Sequence, residues 1–186
     1  MIKKQTKIPD QSILNENKTI FHYIDSFQSD FMSHELDYDI ISIGKLFFNS
    51  SPKWADNLMS FRDKIVGMFG LKTASQLTAE QRDTDSFTFE PGEQLDIFKL
   101  YTRTENELIM GEDDKHLSFR FSLLLENIND GTIKQRITLT TGVEFKNLFG
   151  RLYFFPVKPF HQLIVKRTLK KMIRKIEKEI CKPTSL

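Results

Sequence analysis

A chain of 186 residues with 39% hydrophobic and 28% charged content has the size and balance of one folded domain, which sets aside fibrous and low-complexity classes. A single cysteine, Cys181, excludes an internal disulfide framework and offers no metal-ligand spacing. The net charge of +2 is unevenly spread. Lys158–Lys182 holds nine Lys/Arg against two Glu, a balance of +7, so the rest of the chain carries −5 and an anionic partner comes into view.

Residues 1–18 are polar and aperiodic, so a flexible N-terminal arm is expected there, ahead of a single domain over 19–182. The arm lacks the apolar core of a secretory signal, and nowhere does the chain hold the ~18 apolar residues of a membrane span. A cytoplasmic protein without a transmembrane segment is expected. Phe21–Phe27 alternates Phe21, Tyr23, Asp25 and Phe27 against His22, Ile24 and Ser26, the period of a first strand. Ile40–Phe48 reads as a short helix. A second helix follows: Ser50 or Ser51 caps it, Pro52 fits its first turn, and Trp54, Leu58, Phe61, Ile65 and Phe69 recur at helical spacing up to Gly70. Residues 72–92 offer little beyond a Pro91-Gly92 turn.

From Leu95 the period becomes two, and strands are predicted over Leu95–Arg103, Glu107–Gly111, His116–Glu126 and Thr132–Phe145. Leu117, Phe119, Phe121, Leu123 and Leu125 share one face, with Ser118, Arg120 and Ser122 opposite. In the next strand Ile133, Ile137, Leu139, Val143 and Phe145 face away from Lys134, Arg136, Thr138 and Glu144. Each strand is thus expected to have one core face and one solvated face, with Asn127–Gly131 as the loop between them. The stretch LFGRLYFFPVKPFH, Leu148–His161, reads as a final strand over Leu152–Phe155 and a corner stiffened by Pro156 and Pro159. Beyond it Phe160, Leu163, Ile164, Leu169, Met172, Ile173, Ile176 and Ile180 predict a long amphipathic helix of about six turns. The expected class is α+β: a curved antiparallel sheet wrapped around a long C-terminal helix, with two shorter helices after the first strand.

Four pieces, YIDSF, FFNSSPKWADNLMSFRDKIVGMFGLK, GEDDKHLSFRFSLLL and FGRLYFFPVKPFHQLIVKRTLKKM, resemble in that order an uncharacterised bacterial family. That family is a domain of unknown function within the START-like, polyketide-cyclase-like (SRPBCC) helix-grip superfamily. The resemblance implies a helix-grip fold and a cavity for a hydrophobic molecule, and brings no established catalytic residues. Some relatives carry an NAD(P)-binding reductase-like domain. This chain has no GxGxxG, so the resemblance implies a separate NAD(P)-dependent reductase as a partner.

The chemistry-bearing motifs are sparse. G-x-S-x-G, P-loop and H-E-x-x-H are missing. Glu112-Asp113-Asp114 with His116 lacks the glycine and distal glutamate of a calcium loop and reads as a solvated hairpin, so no metal and no cofactor are expected. Nucleic acid is not expected either, because the aromatics lie on strand faces and not among the basic residues. The expected ligand walls are Phe98, Phe119, Phe121 and Leu139, with Trp54, Tyr153 and His161 at the mouth. Arg62 and Arg151 can each offer a bidentate fork to a ligand carboxylate or to an internal Asp/Glu. Three functions follow: binding a small hydrophobic or amphipathic molecule; cyclase, dehydratase or isomerase chemistry with His161 as acid or base; or contact with a membrane surface or structural partner through the basic helix.

Overall fold

The computed structural model describes residues 1–32, 38–52, 87–95, 98–129 and 133–180. Within them the chain is α+β. Seven strands, β1 (Lys3–Gln5), β2 (Tyr23–Met32), β3 (Gln94–Leu95), β4 (Phe98–Arg103), β5 (Glu107–Asp113), β6 (Leu117–Asn129) and β7 (Ile133–Phe145), form one antiparallel sheet. Their order across it is β1-β2-β7-β6-β5-β4-β3. A 3-10 helix (Ile13–Ile20), a short helix α1 (Ile40–Phe48) and a long helix α2 (Leu148–Ile180) complete the described elements. The predicted second helix, with Trp54 and Arg62, lies outside the described residues. Among the described residues no helix is long and apolar enough to cross a membrane.

Alternation explains the sheet. β6 and β7 run in unbroken register from Leu117↔Phe145 to Asn129↔Ile133. The ladder therefore passes through Asn127–Asn129, where a loop is predicted. Gln135 Nε2 donates to Asn127 Oδ1 at 3.0 Å across the strands, which gives these polar residues a reason to stay paired. One side of the sheet carries Phe27, Phe31, Leu108, Met110, Leu123 and Leu139. It packs against Ile40, Ile43 and Phe48 of α1 and Val165, Leu169, Met172 and Ile176 of α2. Helix α1 starts where Asp39 accepts from Ser42 N at 2.6 Å, a bond that also holds the Asp39 carboxyl below its ordinary range. Gly44 brings α1 down onto Phe89 and Leu108, where a Cβ would clash with both side chains.

The other side of the sheet is not solvated as predicted. Ser118, Ser122, Thr138 and Thr140 are all buried. Their cover comes from the segment expected to be a flexible arm: β1 pairs with β2 from Lys3↔Gln28 to Gln5↔Ser26, and Ile8 and Leu14 pack with Ile109 in a second apolar cluster. Buried Glu107 fastens this segment. Its carboxylate accepts hydrogen bonds from the Ser12 hydroxyl, from Ile13 N at 2.8 Å and from the Ser122 hydroxyl. Two buried apolar side chains six residues apart are too sparse to show a period, which is why sequence patterning reads this segment as loose.

The C-terminal stretch differs too. Leu152–Phe155, predicted as a strand, is helical, and α2 begins at Leu148. Asn147 caps it, its Oδ1 accepting from Gly150 N at 3.1 Å. A Cβ at Gly150 would fall inside the His116 carbonyl oxygen, so the helix meets the turn between β5 and β6 only with glycine there. Pro156 and Pro159 sit inside the helix. Their missing N–H groups leave the Leu152 and Phe155 carbonyls without helical partners, and both residues are exposed, so water can take those carbonyls.

Candidate functional site

The alternation of β2 aims Tyr23, Asp25 and Phe27 at α2. Phe27 belongs to the core, whereas Asp25 is a carboxylate only 2% exposed on the same face. Burying a charge is unfavourable unless its oxygens are satisfied. Both are: the Tyr23 hydroxyl donates to Oδ2, and His161 Nε2 lies 3.3 Å from Oδ1. His161 reaches Asp25 because α2 already runs as a helix there, and the next residue, Gln162, donates from Nε2 to Tyr23 Oη at 2.7 Å. Lys4 Nζ in turn donates to Gln162 Oε1 at 2.9 Å, so β1 closes the outer side of the group.

Burial, reinforced by the bond to Asp25, raises the Tyr23 phenol above its ordinary range, so it stays a proton donor at physiological pH. Its ring packs on Phe154 at 4.9 Å between centroids, and Lys158 Nζ stands 4.9 Å from the ring centre. Thr141 is the cross-strand neighbour of Asp25 on β7 and is buried, yet its Oγ1 has no hydrogen-bond partner among the described residues. A buried hydroxyl in that condition is a ready contact for a polar group brought by a ligand.

Beyond Thr141 the face turns aromatic. Phe121, opposite Thr141 in the ladder, stacks on Phe47 at 4.8 Å. Phe98 meets Phe119, Phe121 and Phe47 edge-on at 6.0, 6.1 and 6.3 Å. Of the four predicted wall residues, Phe121 and Leu139 are buried in the core, while Phe98 and Phe119 keep partial exposure. His161 faces the sheet. Arg151 is exposed, its guanidinium 5.9 Å from the Phe145 ring centre, and Tyr153 is half-buried on α2.

The structure thus gives His161 a partner that sequence reasoning did not assign, Asp25, whose other oxygen accepts from Tyr23. Its signal was present: an aspartate in register with Tyr23 and Phe27 on the apolar side of a strand. The acidic hairpin has another occupation. Asp113 receives both Arg120 guanidinium nitrogens at 3.0 Å and the Tyr101 hydroxyl at 2.7 Å.

Chemically, the junction holds a buried carboxylate, an imidazole, a protonated phenol, an amide and a hydroxyl without a partner among the described residues, beside an aromatic surface. Such a set can orient a polar group on an apolar molecule or move a proton on it. No curated protein and no solved structure matches the chain at a significant level. The family profile described as "Protein of unknown function (DUF2867)" matches residues 19–168, which is most of the chain, and the protein belongs to that family.

Proposed function

We propose that this chain is a START-like helix-grip module that binds a small, largely apolar molecule carrying one polar group between the sheet and α2. The order of seven antiparallel strands followed by a long C-terminal helix supports the helix-grip reading. The observation that carries the ligand is the polar set itself. Core packing has no need of a carboxylate at position 25, and Thr141 beside it lacks a partner among the described residues. The ligand's polar group would bond to Thr141 and the Tyr23–Asp25–His161 set, and its apolar body would lie toward Phe119 and Phe98. Native mass spectrometry of the protein purified without detergent tests this. An added small-molecule mass is expected, with lower occupancy in Asp25→Asn. A chain at its bare mass that also fails to retain added medium-chain fatty acids or polycyclic aromatics overturns it.

A second reading, proton transfer on that ligand, draws on the imidazole braced by a buried carboxylate. Here His161 exchanges a proton with the ligand through its other ring nitrogen, while Asp25, on Nε2, fixes the ring and is itself held by Tyr23. Incubation in heavy water should place deuterium on the retained ligand with the native chain and not with His161→Gln. Equal incorporation by both removes the catalytic reading and leaves the binding one intact.

A further inference from the structure

Helix α2 has two apolar faces. Phe154, Val165, Leu169 and Met172 turn inward to the sheet and are buried. A second line, Leu148, Leu152, Phe155, Pro159 and Leu163, recurs every three or four residues on the outer side. It is uncovered: Leu148 is 70%, Leu152 65% and Phe155 81% exposed, with Phe160 and Leu163 also open. At 1.5 Å per residue the line runs for about 22 Å.

The same steps continue through Lys166, Lys170 and Arg174, all exposed. From Leu148 to Ile176 the helix contains no acidic residue. The outer side is therefore an apolar half followed by a basic half, at one end of a chain whose remainder is net negative. An exposed apolar line on a helix that carries basic and no acidic residues from Leu148 to Ile176 fits a surface that is apolar beneath and anionic on top. Covering the line leaves the core intact, because the core uses the opposite face of α2.

We infer that the outer face of α2 docks on an anionic lipid bilayer, with Leu148, Leu152, Phe155 and Leu163 inserted at the interface and Lys166, Lys170 and Arg174 over the lipid phosphates. This inference is independent of the ligand between sheet and helix. Docking in this pose leaves the sheet-facing side of α2, with His161 and Asp25, turned away from the lipid.

Co-sedimentation of the full chain with vesicles tests it. Vesicles of phosphatidylcholine with phosphatidylserine should pellet the protein at low salt, and pure phosphatidylcholine should not. High salt should weaken the binding, since the attraction is screened over about 10 Å at 0.1 M. Leu152→Glu/Phe155→Glu should lower affinity about tenfold or more, and Lys166→Gln or Lys170→Gln about fivefold each. Circular dichroism establishes that each variant is folded; should the apolar pair unfold the chain, the lysine variants carry the test. Failure of the native chain to bind the anionic vesicles at low salt overturns the inference. So does binding that none of these substitutions weakens. Self-association of the native chain that Leu152→Glu/Phe155→Glu abolishes, without vesicle binding, assigns the face to a second copy and also overturns it.

Discussion

A carboxylate between Tyr23 and Phe27 on the core side of a strand is tolerable only while its partners stay in place. Removing His161 leaves the Asp25 charge under-satisfied in a site 2% exposed, which typically costs 3–5 kcal/mol. His161→Ala should therefore lower stability by about 3 kcal/mol, a drop of roughly 6–12 °C in Tm at this chain length. In an Asp25→Asn background the same substitution should cost less than half as much. Chemical denaturation of the four species checks it, and equal costs in the two backgrounds would mean that the pair is not coupled. Half of this pair was legible in the sequence, because period-two alternation puts Asp25 on the apolar side with Tyr23 and Phe27. The other half was not. Meeting His161 depends on where α2 starts, and two prolines close upstream argued for a corner.

That start is an element-scale property, set by a cap and a close approach. Asn147→Ala removes the acceptor for Gly150 N and should cost about 1 kcal/mol. Gly150→Ala should cost more, since its methyl meets the His116 carbonyl oxygen and a backbone has to move. Melting temperatures of the two variants give the order directly. The N-terminal segment depends in the same way on Glu107, whose replacement by alanine strips the Ser12 and Ser122 hydroxyls and Ile13 N of their acceptor. Glu107→Ala should speed amide hydrogen exchange over Ser12–Leu14 far more than over β6. Uniform acceleration would show instead that the segment and the sheet open together. β7, built on one strong period, was legible almost to the residue, and β6 was legible except for its last three residues, which extend the ladder into the predicted loop. Three-residue β1, paired along β2, and the first turns of α2, set by a cap and a close approach, could not be read, because neither arrangement leaves a period in the sequence.

At the scale of the molecule, acid should destabilise the fold through its surface carboxylates. Burial alone would raise the Asp113 carboxyl, but hydrogen bonds from Arg120 and Tyr101 outweigh it and hold the group far below its ordinary range. The Arg136 bond does the same for Asp30. A carboxyl depressed in the folded state contributes stability above its unfolded pKa, about 3.9, and that contribution is lost as pH falls toward the folded value. Tm should therefore decline below about pH 4, and less steeply for Asp113→Asn. Both pairs are well exposed, so solvent screening limits each to at most ~1 kcal/mol. The strand order has a different consequence, one for synthesis. Tyr23 pairs with Val143, and Met32 with Lys134, so the first long strand waits for the last. While the ribosome is still making β3 to β6, β2 has only the three residues of β1 beside it. A long, apolar-faced strand with an open edge invites wrong pairing. The nascent chain should therefore be exposed to wrong pairing until β7 emerges, and its refolding should be slow for a protein of its size.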